Sequence, residues 1–469
     1  MSKKTAKQII PFVLLVAVAL VAMFVKPIGD YVPGEKDPQY SSADIAWVLV
    51  STALVFLMTP GLAFFYGGMV NRKNVISTMI KSVVAAGVVG ILWVVCGFSL
   101  AFGDTVKGLG IIGDPTTFAF FHNVKGHAAW PLANTIPLTL FSLFQLMFAV
   151  ITPGLVVGAL AERIRFTSFI LFIILFSLLV YAPVAHWNWH PDGFLAKMGA
   201  FDFAGGTVVH ITAGCAALAG AMVLKRRKSH IENREIPPAN VPYVLIGTGL
   251  LWFGWFGFNA GSAVGATPLA VNAFGTTTTA AASAGLTWMF FDVIKGKKPS
   301  VLGFCIGAVV GLVAITPAAG YVGIPQSIIV GLVGAVASNI AVAIKQKSTL
   351  DDTLDVFPCH GIGGMVGMLL TGVFASTAVN SAGPNGLFYG NPEFFFTQFK
   401  AMGIVVLYSF TVSYGIFKFI NFVVPMRVSE LEEELGLDET QHNEKYMQGH
   451  LLVHHNGEIK ETPAEKLIK

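Results

Sequence analysis

The sequence predicts an all-α polytopic membrane protein with eleven transmembrane helices. Of its 469 residues, 54% are hydrophobic and 12% are charged, whereas soluble domains usually have roughly a quarter of their residues charged. Apolar runs long enough to cross a bilayer recur through the chain. The chain also contains 50 glycines, and small residues allow membrane helices to pack closely against one another.

The chain begins with a segment that is separate from the main bundle. Residues 1–27 have a basic start and an apolar run of about 17 residues, which suits either a secretory signal peptide or a short N-terminal helix. A polar stretch with proline and glycine follows. We therefore divide the chain into this hydrophobic leader, a transmembrane domain at 43–425 and a C-terminal tail at 426–469.

The main bundle contains eleven apolar segments, and the loops between them differ in charge. The segments lie at roughly 45–67, 79–102, 135–160, 166–186, 204–224, 242–264, 273–294, 301–316, 325–344, 359–377 and 400–424. Basic clusters such as NRKN at 71 and KRRKSHIENR at 225 fall in alternate loops. By the positive-inside rule, the bundle starts outside and its tail is cytoplasmic. We accordingly expect a multi-pass protein of the cell inner membrane or plasma membrane.

Segments five and ten each carry an aspartate and a histidine into a glycine-rich apolar run. Segment five reads DFAGGTVVHITAG, with Asp202 and His210, and segment ten reads DDTLDVFPCHGIGG, with Asp355 and His360. Two sets of five helices that start on opposite sides of the membrane are typical of an inverted repeat. Such a repeat would bring the two histidines together near the middle of the bilayer.

These four residues are the first candidates for a functional role. In a soluble protein, core packing would be the better interpretation of the histidines, but ionisable groups within a membrane are costly and usually line a pathway. Asp202 has two interpretations, as the N-cap of segment five or as a direct contact for a cation. For Asp355, which stands near Asp351 and Asp352, capping of segment ten is favoured.

Aromatic residues form a further pattern in three regions. Phe144 and Phe148 share one face of segment three, and Trp187 and Trp189 follow segment four. The stretch WFGWFGFNAGSA in segment six includes Trp255, Phe256, Phe258, Asn259 and Ser262. Such groups most often pack in a core or form an interfacial belt. Ring faces also attract cations, so aromatic residues at an outer vestibule would suit a small cationic substrate.

Composition and motifs exclude several classes of protein. The net charge of +4 is too small to indicate a nucleic-acid partner. The four cysteines all fall within apolar segments, which indicates buried thiols rather than disulfides or a metal site. The sequence has no GxSxG, HExxH or P-loop motif. We therefore expect no enzymatic activity, no cofactor and no metal, and the imidazoles at mid-depth suit a small polar solute that carries a proton.

Five motifs, in order, resemble the ammonium transporter family, the bacterial and plant branch of the Amt/Mep/Rh superfamily. They are ALAERIRF, DFAGGTVVHITAG, WFGFNAGSA, DDTLDVFPCHGIGGMVG and the tail MRVSELEEELGLDETQHNEKY. The resemblance covers roughly residues 43–447. It implies an eleven-helix protomer with an inverted five-helix repeat, assembled as a homotrimer with one pore in each subunit.

The same resemblance implies roles for individual residues. His210 and His360 would be the paired histidines of the pore, and Phe148 and Phe258 would form a stacked gate above them. The outer substrate site would comprise Trp189, Phe144, Ser262 and Asp202. The AHWNW frame favours Trp189 over Trp187 in this site.

The resemblance further implies a mechanism and a set of partners. Ammonium would bind at the outer site, lose its proton and cross as ammonia, while the proton follows a separate path. Potassium has no proton to give up, so deprotonation would discriminate between the two cations. The implied partners are ammonium or ammonia, the lipid bilayer and a cytoplasmic P-II signalling protein.

Two alternative functions are compatible with the same motifs. One is an ammonium sensor with the same fold, and the other is a Rh-like channel for neutral ammonia. The tail at 426–469 is short for a signalling domain, which disfavours the first alternative. The aromatic and hydroxyl residues of AHWNW and NAGSA disfavour the second.

Overall fold

Eleven helical segments form the body of the protein, and all but the last begin close to the positions that the sequence predicts. A computed structural model describes residues 3–25, 40–446, 450–455 and 458–463. The body contains helices α2 to α12, and a separate helix α1 (Lys3–Phe24) precedes it. The predicted fold class, an all-α polytopic membrane protein, is confirmed.

The bounds of the eleven helices follow the apolar runs. They are α2 (Ser42–Met69), α3 (Val75–Leu92, a π-helical turn at Trp93–Gly97, and Phe98–Phe102), α4 (Leu138–Leu160), α5 (Phe166–Phe176, a π-helical turn at Ser177–Tyr181, and Ala182–Trp189), α6 (a π-helical turn at Gly206–Ile211, then Thr212–Leu224), α7 (Val241–Trp255, then a π-helical turn at Phe256–Ala260), α8 (Pro268–Ile294), α9 (Val301–Ile315), α10 (Ile324–Gln346), α11 (a π-helical turn at Phe357–Ile362, then Gly363–Phe374) and α12 (Pro392–Val423). Short helical turns occur at Arg72–Asn74, Val106–Gly108, Ala119–Phe121, Phe194–Lys197, Lys228–Ile231 and Leu387–Tyr389.

Helix α12 starts earlier than the sequence pattern predicts. Its first residue is Pro392, whereas the apolar run suggests a start near residue 400. The side chain of Asn391 accepts a hydrogen bond from the Phe394 N–H, and a proline at the first helical position costs no backbone hydrogen bond. The cap therefore sets the start of the helix, and Glu393, Gln398 and Lys400 interrupt the apolar run there, which hides the start in a hydropathy pattern.

Two of the eleven helices are atypical membrane spans. Within the described part of the chain, nine helical segments are long and apolar enough, by length and composition, to cross a membrane. Helix α9 has only 15 residues, and α8 contains four consecutive threonines at 276–279. Because α8 packs against both α9 and α10, these two helices complete the bundle through contacts with their neighbours.

The chain after α12 folds back onto one end of the bundle, which we call the tail face. Two short helices lie there, α13 (Glu430–Leu435) and α14 (Leu437–His442). Asp438 caps α3, because its carboxylate accepts hydrogen bonds from the backbone N–H groups of Ser77 at 2.7 Å and Ile76 at 3.1 Å. An antiparallel pair of strands follows, β1 (His450–His455) and β2 (Glu458–Pro463).

Helix α1 presents its apolar side chains to the surroundings. Phe12, Met23 and Phe24, for example, are exposed. An exposed apolar helix suits both a signal peptide and an N-terminal membrane helix. The division of the chain at residue 27 stays a prediction, and that residue lies outside the described ranges.

Glycines bring the helices of the bundle into close contact, as the GxxxG spacing predicts. A Cβ atom built on Gly311 of α9 would lie 2.4 Å from the Ala280 carbonyl oxygen of α8. At the crossing of α6 and α11, a Cβ on Gly214 would lie 2.3 Å from the backbone of Gly361. Only glycine fits at this crossing, which lies next to the two histidines.

We expect Gly214→Ala to destabilise the protein by about 1–3 kcal/mol, because its methyl group would force the backbones of α6 and α11 apart. The matched control is Gly90→Ala in α3, where an added Cβ meets no atom within 4 Å. That control should unfold at or slightly above the wild-type temperature, because alanine favours a helix. Thermal unfolding of the purified proteins in detergent measures both, and equal melting temperatures for the two variants would contradict the close crossing.

Candidate functional site

A cavity of about 390 Å³ opens at the end of the bundle opposite the tail, which we call the far face. Its wall contains every residue that the sequence assigns to the outer substrate site, namely Phe144, Trp189, Asp202 and Ser262. Phe148 lies in the same wall. Residues from α4, α5, the turn after α7 and the loop before α6 thus meet in one place, although they lie far apart in the sequence.

The polar groups in this wall are oriented by hydrogen bonds. The Trp189 indole N–H donates to the Asp202 carbonyl oxygen at 3.0 Å. The Ser262 hydroxyl donates to the Phe258 carbonyl oxygen at 2.7 Å, which leaves its oxygen lone pairs available as acceptors. Trp187 is anchored elsewhere, because its indole N–H donates to the Ile111 carbonyl oxygen. Trp189 therefore lines the cavity, and Trp187 packs behind it against Phe194.

Two phenylalanine rings separate this cavity from the interior of the bundle. The ring centroids of Phe148 and Phe258 lie 4.3 Å apart with an angle of 37° between the planes. Phe148 faces the far-face cavity, and Phe258 lines a second, buried cavity beneath it. Phe144 and Trp189 each meet the Phe148 ring edge to face. The rings of the predicted gate are thus packed in contact with the predicted substrate site.

Beneath this aromatic pair, the two histidines meet. The Nδ1 atoms of His210 and His360 are 3.3 Å apart, and their ring centroids are separated by 5.4 Å. The side chains are 1% and 3% exposed. One Nδ1 must carry a proton and the other must accept it for this hydrogen bond to form. The Nε2 atom of His210 has no partner among the described residues.

The buried cavity beside the histidines is narrow and almost entirely apolar. Its volume is about 10 Å³, close to the minimum for one water-sized molecule. Apart from the two imidazoles, its lining consists of apolar and aromatic side chains, namely Met58, Leu62, Phe65, Ile151, Leu155, Val209, Leu251, Trp255, Phe258 and Val309. His360 also lines a third cavity of about 170 Å³ on the tail side, together with Tyr66, Asp355 and Cys359.

Trp255 is part of the site, although the sequence places it only in an aromatic cluster. Its ring stacks on His210 with 5.4 Å between centroids and 18° between planes. The indole N–H donates to the Thr316 hydroxyl at 2.9 Å. This stack and the bond to His360 together restrict the orientation of the His210 imidazole. Its signal in the sequence is the run WFGWF, which cannot by itself reveal which ring meets the histidine.

Asp202 caps α6 with its whole carboxylate. Both oxygens accept hydrogen bonds from the helix start, with the N–H groups of Gly205, Gly206 and Thr207 at 2.9, 2.7 and 2.7 Å. The Thr207 hydroxyl and the Val208 N–H donate to the same carboxylate. The carboxylate therefore holds the π-helical turn that carries His210, and its negative charge also contributes to the field of the far-face cavity.

In α11 the capping residue is Asp352, not Asp355 as the sequence pattern suggested. Asp352 accepts hydrogen bonds from the Val356 and Phe357 N–H groups at 3.0 and 2.7 Å. It precedes His360 by eight residues, the same spacing as between Asp202 and His210. Asp355 has a positive φ of 57° and forms an ion pair with Lys345 at 2.6 Å.

Charged groups surround this second cap on the tail face. Burial raises the pKa of the Asp352 carboxyl to about 6, and Lys345 opposes this rise while Asp355 adds to it. Neighbouring Asp351 pairs with Arg227 at 2.8 Å, and Arg227 also pairs with Glu162. Although burial opposes it, the guanidinium groups around Asp351 lower the pKa of that carboxyl. The loop before α11 is thereby tied to the loops before α5 and α7.

A bundle with a series of cavities along its axis, joined through an aromatic pair and a histidine pair, is the structure of a membrane transport protein. A family model described as Ammonium Transporter Family matches residues 46–447. An ammonium transporter of Bacillus subtilis is 46% identical over 408 residues, which are 86% of this chain and 98% of the relative. The chain therefore belongs to the ammonium transporter family, is an ammonium transporter and is not an enzyme.

Solved structures agree with this assignment. The crystal structure of Saccharomyces cerevisiae Mep2 has a TM-score of 0.78 and 35% identity, covering 83% of this chain and 88% of that one. A structure described as Sensor Amt Protein also matches, with a TM-score of 0.75 and 28% identity over 85% of this chain and 98% of that one. The curated transporter of Bacillus subtilis is considerably more similar in sequence than the sensor, so the sensor alternative is not favoured.

We expect Asp202→Ala to lower the stability of the protein by about 2 kcal/mol or more, because several buried N–H groups at the start of α6 would lose their acceptor. The control is Asp192→Ala on the same face, where an exposed ion pair with Lys197 is lost. Exposed pairs contribute little, so this control should melt near the wild-type temperature. A wild-type melting temperature for Asp202→Ala would contradict the capping role.

Proposed function

We propose that this transporter binds ammonium in the far-face cavity, removes its proton there, and conducts ammonia past His210 and His360 to the tail side. The observation that carries the proposal is the order of the three cavities. A wide cavity with aromatic and hydroxyl groups leads to a narrow apolar one, which the histidine pair connects to a third cavity. The substrate would thus move from a wide cavity with aromatic and hydroxyl groups into a narrow apolar one.

The far-face cavity is suited to a cation. Phe144, Phe148 and Trp189 present aromatic rings, which attract a positive charge by their quadrupoles. The Ser262 oxygen can accept a hydrogen bond from an N–H group of the ion. Because the Asp202 carboxylate is committed to the helix cap, it would support recruitment through its charge rather than as a ligand.

The narrow cavity is suited to a neutral molecule. A bare cation in an apolar, membrane-buried passage is heavily penalised, whereas ammonia needs only a few hydrogen-bond partners. The two imidazoles supply a donor and an acceptor without a fixed charge. Potassium cannot become neutral by losing a proton, and this difference is the proposed basis of selectivity. The proton would follow a path separate from that of ammonia, linked to Asp202 and the histidines.

We further propose that the far face is extracellular or periplasmic and the tail face cytoplasmic, in an inner or plasma membrane. The loop clusters NRKN, KRRKSHIENR and KGKK support this orientation by the positive-inside rule.

We also propose a homotrimer and a P-II signalling protein as a partner at the tail face. An apolar groove between α8 and α10, lined by Leu286, Phe290 and Leu332, supports contact between subunits. Native mass spectrometry and co-purification test these two points.

The direct test of the proposed function is the current on a solid-supported membrane that carries purified protein in liposomes. An ammonium pulse should give a transient current, and a potassium pulse of equal concentration should give none. If neither ion gives a current, a pH-sensitive dye inside the liposomes separates electroneutral ammonia conduction from an absence of transport. Equal currents with both ions would contradict deprotonation as the basis of selectivity.

We expect His210→Ala to abolish the ammonium current or its selectivity over potassium, because the passage loses half of its hydrogen-bonding pair. The protein should still fold and insert, since the substitution removes a side chain from a cavity wall. His122→Ala is the control, because His122 is exposed on a far-face loop, and it should conduct like the wild type. Unchanged ammonium selectivity in His210→Ala would mean that this histidine only fills space.

A further inference from the structure

Two carboxamide side chains in the wall of the far-face cavity have buried oxygens without a hydrogen-bond partner. They are Gln145 of α4 and Asn188 of α5, which are 8% and 9% exposed. Among the described residues, no group donates to Gln145 Oε1 or to Asn188 Oδ1. An unpaired buried oxygen is costly, so such groups in a native structure call for an explanation. Both residues line the same cavity, together with the aromatic rings of the proposed substrate site.

The orientation of the Asn188 carboxamide follows from its one hydrogen bond. Its Nδ2 donates to the Val184 carbonyl oxygen at 3.0 Å. A carbonyl oxygen can only accept, so the nitrogen must face Val184 and the oxygen must be the unpaired atom. Asn188 therefore offers an acceptor, and it cannot offer a donor in this position.

The turn that carries Asn188 is held firmly on both sides. Trp187 is anchored through its indole N–H to the Ile111 carbonyl oxygen at 2.6 Å. Trp189 is anchored in the same way to the Asp202 carbonyl oxygen at 3.0 Å. Because the neighbouring indoles are fixed, the acceptor oxygen is preorganised and a ligand need not order it on binding.

The acceptors of this cavity complement a cation that carries several N–H groups. Aromatic rings attract its charge but accept no conventional hydrogen bond, and Ser262 supplies only one hydroxyl oxygen. Tetrahedral ammonium has four N–H groups that lose their water partners on binding. The two amide oxygens would replace some of those partners without adding a negative charge, so the ion can still leave or lose its proton.

We propose that Asn188, assisted by Gln145, is a substrate-binding residue that accepts hydrogen bonds from ammonium in the far-face cavity. The inference rests on the proposed function, because it assigns further ligands to the same site. The site would then combine two kinds of contact with the ion, namely the aromatic rings with Ser262 and the amide oxygens. Its action is on binding, so it governs the half-saturating concentration rather than the maximal current.

Asn188→Leu tests this inference, because leucine has a similar size and no acceptor. The half-saturating ammonium concentration for the current should rise about tenfold, as expected for the loss of one hydrogen bond to a charged group, while the maximal current is unchanged. Asn188→Asp keeps an acceptor oxygen and should retain half-saturation within about threefold of the wild type or below it. A half-saturating concentration within twofold of the wild type in Asn188→Leu overturns the proposal.

The matched control is Ser177→Ala, which changes α5 at a buried side chain outside the wall of the far-face cavity. It should leave half-saturation unchanged, and an equal rise in this control would show that the effect of Asn188→Leu is a general distortion. If Asn188→Leu does not fold, Asn188→Ala replaces it with the same expected rise. Normal ammonium transport by the wild type with no effect of either Asn188 variant overturns this inference alone, whereas absence of wild-type transport overturns it together with the proposed function.

Discussion

The structure depends on one constraint, which is that polar groups within a membrane must find partners inside the protein. The carboxylates of Asp202 and Asp352 meet it by capping α6 and α11. The Nδ1 atoms of His210 and His360 meet it by bonding to each other. The hydrogen bonds that cap α6 and α11 thus also hold the helical turns that carry the two histidines. Because each cap and its histidine belong to the same helix start, the position of the histidine pair follows from the starts of two helices.

Close approach of these two helices is the second requirement. Gly214 and Gly361 face each other at the crossing of α6 and α11, where a single methyl group would collide with the backbone. This contact brings the two imidazoles within hydrogen-bonding distance. The π-helical turns at Gly206–Ile211 and Phe357–Ile362 carry the histidines themselves, and such turns often occur at functional sites. Tight packing and local irregularity therefore serve the same site.

Polar groups are unevenly distributed along the three cavities. Acceptors and rings are concentrated at the far face, the middle is apolar except for the imidazoles, and Asp355 and Tyr66 occur only in the cavity on the tail side. In the proposed mechanism, a cation would gain contacts at the far face and lose them in the middle, whereas ammonia would keep hydrogen-bond partners at the imidazoles. The loops on the tail face are tied together by Arg227, which pairs with both Glu162 and Asp351.

The sequence by itself determined the membrane class and the eleven helices, and it predicted most residues of the candidate site, because apolar length, loop charge and a histidine in lipid each have a local physical meaning. The start of α12 was missed because a cap, rather than hydropathy, sets it. Only the tertiary structure decided that Asp352 and not Asp355 caps α11 and that Trp255 stacks on His210. The AHWNW frame already favoured Trp189, and the structure places Trp189 in the cavity wall and Trp187 outside it. It also brought Gln145 and Asn188 to one wall. These outcomes depend on contacts between residues that are distant in the chain, and periodicity carries no information about which of two neighbouring side chains faces a given partner.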